Sequence, residues 1–266
     1  KNKEEDDRKD VQYFYGDTKD SGVIDEAIYH SDGVIHLAGI LGTQETVKNP
    51  IPSVETNILG GLNVFESCAR HNKKGVYIAV GNHWMNNSYS ITKTTAERFA
   101  LMYNKERGTK IAVVRGLNAY GARQKDKPVR KITPNFILSA LKNEDILIYG
   151  NGNQRMDMIH AEDIAEILVR GLIMEHNCYN KIFEAGTGKA PTVNEIAETI
   201  IRLTDSKSKL EHTVMRPGEE ESSVVIANPE TLKPLGFEKF TSLEDGLNKT
   251  IPWYKELLNK RSQNNY

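Results

Sequence analysis

From Val11 onward, short β-branched or aromatic runs alternate with stretches of helical period. The runs are "VQYFYGD" (11–17), "GVIHLAG" (33–39), "GVYIAV" (75–80) and "KIAVVRGLNAYG" (110–121). Between them the spacing predicts helices near 20–29, 53–72 and 89–107. The middle one carries Ile58, Leu62, Phe65 and Ala69 at intervals of three and four, an apolar stripe with one polar face. Gly75 and Gly108 follow two of these helices, where a left-handed residue closes a helix. Near-continuously apolar strands alternating with helices predict a parallel sheet covered on both faces, an α/β fold.

After Gly121 the texture changes. "ARQKDKPVRK" is a basic loop, followed by a predicted helix near 133–143, a strand at 146–150, a helix at 162–175 and a strand "KIFEAG". In "TVNEIAETIIRLT", Thr192 and Glu195 fit a capping box, and Thr241 and Glu244 repeat the arrangement near the C-terminus. These patterns divide the chain into a dinucleotide-type part, 1–121, and a smaller mixed α/β part, 122–266, with some later strands returning to the first sheet.

A doubly wound nucleotide-binding fold starts with strand, glycine-rich turn, helix and strand. Here the chain opens on "KNKEEDDRKD", too polar for a strand, and contains no G-x-G-x-x-G. "AGTGKA" (185–190) lacks the first glycine and the hydroxyl residue of a P-loop. In the 3-2-1-4-5-6 strand order the first strand is central, and its loss exposes its neighbours' edges. A preceding segment is therefore expected; the alternative is a shortened product that binds a dinucleotide poorly.

Composition narrows the partners. With 38% hydrophobic and 27% charged residues and a net charge of −1, the chain reads as globular, with no case for nucleic acid or an anionic membrane. No apolar run approaches the ~18 residues of a membrane span. The two cysteines, Cys68 and Cys178, read as free thiols in a reducing cytoplasm. No metal is called for.

Tyr89 and Lys93 stand four apart at the start of a predicted helix, with Ser88 as its expected N-cap. The same spacing at Tyr15 and Lys19 crosses a Gly-Asp turn, so spacing alone does not separate a catalytic pair from an ordinary tyrosine and lysine. A lysine charge at about 6–7 Å and an effective dielectric near 20 is worth roughly 2.5 kcal/mol, close to two pKa units, to the phenolate. An oxidised nicotinamide adds the same sign, bringing the phenol towards a general base at neutral pH.

Here the chain resembles the extended short-chain dehydrogenases/reductases, specifically the UDP-glucose 4-epimerase-like nucleotide-sugar epimerase/dehydratase family, with a Rossmann-like doubly wound sheet. "YFYGDTKD", "VIHLAGILG", "ETNILGGLNVFESC", "SYSITK", "VVRGLNAYGARQ", "IYGNGNQRMDMIHAEDIA" and "RPGE" carry the resemblance in order through nearly the whole chain. It implies NAD, with NADP open, held by Asp17 at the adenine, by Leu37, Ala38, Gly39, Val80 and Arg115, and by Tyr89 and Lys93, with Asn57 supporting the active-site backbone. It implies a nucleotide-sugar substrate, UDP-linked, contacted by Asn118, Lys131, Tyr149, Arg155 and Arg216.

Two departures stand out. The family's Ser or Thr before the tyrosine falls on Gly81 or Asn82, leaving Asn82 and His83 as the polar candidates; a tight loop with a surface histidine is the plainer reading. "GNHWMNN" also lacks the dehydratases' Asp-Glu pair. In "NQRMD" the phosphate-binding position falls on Met156, and Arg155 is displaced by one residue, to the opposite face of a strand.

The expectation is thus a C4 epimerase with Tyr89 as base, dimeric through helices 53–72 and 89–107. A dehydratase or reductase, or a catalytically silent nucleotide-binding protein, stands against it.

Overall fold

A computed structural model describes residues 11–263. Its helices are α1 (Ser21–Tyr29), α2 (Ile51–Ser53), α3 (Gly60–His71), α4 (Ser88–Arg107), α5 (Ile132–Leu141), α6 (Ala161–Ile173), α7 (Val193–Thr204) and α8 (Leu243–Gln263). A π-helical segment, Val54–Leu59, joins α2 to α3, and a 3-10 helix spans Pro229–Leu235. The strands are β1 (Gly33–His36), β2 (Lys74–Val80), β3 (Lys110–Gly116), β4 (Asn118–Tyr120), β5 (Ile146–Tyr149), β6 (Arg155–Met156), β7 (Met158–His160), β8 (Ile182–Ala185), β9 (Leu210–Thr213) and β10 (Val224–Val225).

A parallel sheet in the order β1-β2-β3-β8 forms the first layer system. Alternation sends successive side chains of β2 and β3 to opposite faces, and both faces are covered. Tyr77, Ala79, Ile111 and Val113 pack with Phe65, Ala96 and Ala100 beneath α3 and α4. Val76, Ala112 and Val114 pack with Ile164, Ile167 and Phe183 beneath α6. Two buried faces are why these strands read as continuous apolar runs. The register Val80↔Gly116 and Gly116↔Ala185 brings the carboxyl ends of three strands level, so the loops that follow them share one rim.

A second core, built from Phe136, Ile137, Ile146, Ile196, Ile200, Leu247 and Tyr254, unites α5, α7, α8 and β5. Among the described residues there are also three two-stranded parallel pairs, β4–β7, β5–β9 and β6–β10, of which β4–β7 gives residues to both cores and β5–β9 packs on the second. The predicted run 110–121 therefore breaks at Leu117, with β3 in the main sheet and β4 beside β7.

Several local expectations shift. Residues 11–17 form no strand; they run irregularly, and Val11, Tyr13, Phe14 and Tyr15 are exposed. The helix before β2 is closed by Asn72 at φ 50°, not by Gly75, which lies within β2 where a Cβ would sit 3.5 Å from Cys68 Sγ. Gly108, at φ 67°, does close α4. Helix α4 is capped by Asn87, whose Oδ1 accepts from Ser90 N at 2.9 Å; Ser88 is already helical. Thr192 and Glu195 form their capping box. Thr241 instead donates to Asp163, and Ser242 with Asp245 takes over the start of α8.

Both cysteines are free, and burial pushes the Cys68 thiol up to about 12. Among the described residues no helix is long and apolar enough to cross a membrane.

Candidate active site

The rim above β1, β2 and β3 faces α5, β5 and the 215–225 segment across a cleft of about 470 Å³. Leu37, Gly39, Val80, Gly81, Asn82, Tyr89, Lys93 and Asn118 line it from the sheet side. Lys131, Tyr149, Met156 and Arg216 line it from the other.

Tyr89 and Lys93 reach the cleft together because Asn87 starts α4 just before them, leaving the pair on one helical face in its first turns. Lys93 is buried, its Nζ 4.3 Å from the centroid of Tyr77, whose hydroxyl donates to the Lys93 carbonyl at 3.1 Å. Part of the Tyr89 ring faces the cleft, yet the surrounding walls desolvate its hydroxyl. Burial pushes the Tyr89 phenol up to about 12 and the Lys93 amine down to about 7. This reverses the sequence expectation of a phenol lowered by its lysine. The Coulomb argument assumed two solvated groups; taking both from water disfavours both charged forms. His36, beneath them, is pushed down to about 4 by burial and then by the Lys93 charge.

Asn57 braces the rim from behind. Its Oδ1 accepts from Ile40 N at 2.8 Å, and its Nδ2 donates to Ile40 O at 3.1 Å and Thr92 Oγ1 at 2.9 Å. Buried in the π-helical segment, it does not itself line the cleft. Gly39 is bare backbone beside this brace: a Cβ there would sit 3.1 Å from Asn57 Oδ1 and 3.9 Å from Lys93 Nζ.

A Cβ on Gly81 would meet the Leu117 Cδ1 methyl, so a side chain there requires the half-buried Leu117 to turn aside. Asn82 is the polar side chain next to Gly81, and its Nδ2 donates to the weak acceptor Met85 Sδ, at 3.3 Å, its one side-chain bond among the described residues.

At the other end Arg216 lies over Tyr149, 4.9 Å from the ring centroid, and pairs with Glu219. Lys131 is pushed below its usual range by burial, partly offset by Glu45 and Glu219. Arg130, Gln124, Thr43, Glu45 and Glu219 also line the cleft and were not expected there. Only the basic character of "RQKDKPVRK" hinted at Arg130.

Other expected residues lie elsewhere. His83 is turned to its own loop, its Nδ1 3.2 Å from Gly81 O and its ring edge-on to Trp84. Arg115 is bound by Glu97 and Glu184 on the helix side of β3 and does not line the cleft. Arg155 donates to Ala190 O at 2.8 Å, while its strand neighbour Met156 faces the cleft, as the period of two requires. Ala38 and Asp17 are likewise outside the lining; the Asp17 carboxylate accepts from Lys19 N at 2.9 Å before α1.

A family model described as the NAD dependent epimerase/dehydratase family matches residues 1–85 and 81–186. The UDP-N-acetyl-alpha-D-glucosaminuronate decarboxylase of Bacillus cytotoxicus is 30% identical over 90% of this chain and 82% of its own length. A putative UDP-glucose 4-epimerase of Methanocaldococcus jannaschii is 27% identical over 92% and 84%. The structure of UDP-glucose 4-epimerase from Thermotoga maritima with UDP-glucose superposes with a TM-score of 0.87 at 22% identity, covering 94% of this chain and 86% of that one. That likeness establishes the shared Rossmann-type fold.

Proposed function

Since the chain belongs to the NAD dependent epimerase/dehydratase family, we propose that it interconverts a UDP-linked sugar and its C4 epimer through a transient 4-keto sugar. The observation that carries this reading is the convergence of Tyr89, Lys93 and Asn82 on the cleft that Arg216, Lys131 and Asn118 line further along. A hydroxyl-bearing ring has a base at one end of it, and a diphosphate has cations at the other.

The residues present fit a nicotinamide. Gly39 exposes backbone next to the Lys93 amine, and Leu37 and Val80 add apolar wall. NAD, when bound, accepts and returns the ring hydride and brings positive charge to the cleft. Tyr89 takes the C4 hydroxyl proton and returns it. Lys93 orients the nicotinamide ribose and, when protonated, favours the phenolate. Asn82, whose amide lacks a strong partner, hydrogen-bonds the reacting oxygen in place of a hydroxyl residue. Arg216 and Asn118 hold the diphosphate, with Lys131 and Tyr149 nearer the nucleotide. In this reading residues 1–121 hold the cofactor and contribute Asn82, Tyr89 and Asn118 to the substrate, and 122–266 supply the rest of the nucleotide-sugar site.

A dehydratase needs an acid for water elimination. "GNHWMNN" contains no carboxylate and His83 lies outside the cleft lining; of the carboxylates that do line it, Glu45 and Glu219 stand by Lys131 and Arg216 at the other end, so this reading has less support. The proposed setting is a cytoplasmic homodimer paired through the helices at 51–71 and 88–107, whose Leu59, Ile91 and Met102 are exposed. Light scattering that returns a monomer at micromolar concentration removes the dimer.

The direct test is Tyr89→Phe in NAD-loaded protein assayed with UDP-glucose, UDP-galactose and their N-acetyl and uronate counterparts. Loss of a positioned base predicts a rate about 10²–10⁴-fold lower with UDP affinity retained. Undiminished turnover eliminates Tyr89 as the base.

A further inference from the structure

Three segments far apart in sequence meet at Gly218. Its φ is +81°, and a Cβ there would sit 3.3 Å from Val47 Cγ2, 3.4 Å from Asn87 Cβ and 3.5 Å from Thr43 O. The turn is therefore held against both the 42–47 loop and the start of α4, in a conformation that favours glycine. Two side chains lock it there. Glu219 accepts from Thr43 Oγ1 at 2.7 Å with the same oxygen that Arg216 Nη2 contacts. Asn87, itself buried, donates from Nδ2 to Gly218 O at 3.4 Å while its Oδ1 caps α4 through Ser90 N at 2.9 Å.

One amide thus bonds the arginine-bearing turn with one end and the helix carrying Tyr89 with the other. We propose that Asn87 is a positioning residue that couples occupancy of the Arg216 turn by a diphosphate to the placement of Tyr89. Asn87 lies outside the cleft lining and touches no reacting atom. It acts by fixing the distance between the phosphate-holding turn and the first turn of α4. A bound diphosphate that orders the turn through Arg216 thereby also orders the residues on which Tyr89 stands. This deepens the proposed function and rests on its placement of the diphosphate at Arg216.

Asn87→Asp separates the two bonds. Aspartate caps a helix as well as asparagine does but has no N–H for Gly218 O. Asn87→Ser keeps a cap with no amide and serves should the aspartate variant fold poorly. The probe is UDP, added to NAD-loaded protein, with amide hydrogen exchange read over residues 86–93 beside steady-state turnover.

In the wild type, UDP slows exchange across that segment. In either variant the slowing falls by at least half while UDP still binds, and kcat for the nucleotide sugar falls about tenfold, with NAD content unchanged and the melting temperature within a few degrees. Unchanged UDP-induced slowing in both variants overturns the coupling, as does a wild type in which UDP binds without slowing exchange there. If the wild type turns over no UDP-sugar but the UDP effect and its loss are both seen, the coupling stands and the epimerase reading falls. Full turnover with no coupling has the opposite meaning.

Discussion

Lys93 is the residue whose environment makes the sharpest demand. Its amine is buried, 4.3 Å from the Tyr77 ring centroid, and desolvation takes its pKa from 10.5 to about 7. At 1.36 kcal/mol per pKa unit, that difference corresponds to ~5 kcal/mol of destabilisation whenever the folded protein must carry the charge. The pH window follows from proton binding. Below about pH 7 folded and unfolded chains are both protonated, and the penalty is present in full. Between about pH 7 and 10.5 the unfolded chain holds the proton that the folded one has released, so stability climbs with pH.

Lys93→Met removes the charge at similar length. In cofactor-free protein the methionine variant should be more stable than wild type by several kcal/mol at pH 6.5. A lost cation–π contact, ~1–2 kcal/mol, trims that gain. By pH 9.5 the gap should have shrunk by ~3 kcal/mol, because both proteins share every other titrating group. Urea unfolding at the two pH values measures it. A gap that stays constant within ~0.5 kcal/mol means the amine titrates near its solution value, and the desolvated cleft proposed here is wrong.

The two arginines should part company: Arg216→Ala raises KM for the nucleotide sugar at least tenfold, whereas Arg155→Ala, which loses a bond to Ala190 O, leaves it within twofold. Steady-state kinetics on both variants decides, and equal effects would return Arg155 to the cleft. Gly81→Ser should cost about 1 kcal/mol, since the Leu117 methyl it meets is half-buried and can turn into the cleft, and adding Leu117→Ala should recover part of that in a thermal-unfolding cycle. Asn57→Ala strips both backbone groups of Ile40 of their side-chain partner, and denaturant unfolding should register ~2–3 kcal/mol.

What the sequence revealed depended on how local its cause was. Strands β2 and β3 were legible because both faces are buried, so their apolar runs are unbroken. The Thr192–Glu195 box was legible because all its partners lie within four residues. The caps at Asn87 and Ser242 each fell one residue from expectation, since Ser, Thr and Asn offer similar acceptors and only tertiary contacts choose between them. Residues 11–17 show the same limit. A β-branched, aromatic run has strand propensity, but a ladder also needs a neighbour, and propensity does not supply one. In the cleft, the shared face of Tyr89 and Lys93 followed from helical period and the opposite facing of Arg155 and Met156 from strand period, whereas Asn118 came only from the family resemblance. Thr43, Glu45 and Glu219 did not, because nothing within the loop at 42–47 records that it meets the 215–221 turn.

The sign of the electrostatics at Tyr89 illustrates a deeper gap between spacing and environment. Four residues on a helix set a distance, and distance sets a Coulomb energy, but burial sets the dielectric and the self-energy of each charge. Here the self-energy prevails for both groups, leaving the phenol near 12 and the amine near 7. A resting phenolate is thus disfavoured, and the buried amine gains from any acceptor placed beside it. In the mechanism proposed above, proton abstraction then becomes conditional: Tyr89 would act as a base only once the loaded cleft supplies the positive charge that the protein's own atoms withhold. Such conditionality suits an enzyme of this kind, because a phenol that stays protonated in the idle cleft removes no proton until a sugar hydroxyl and its hydride acceptor are both in place.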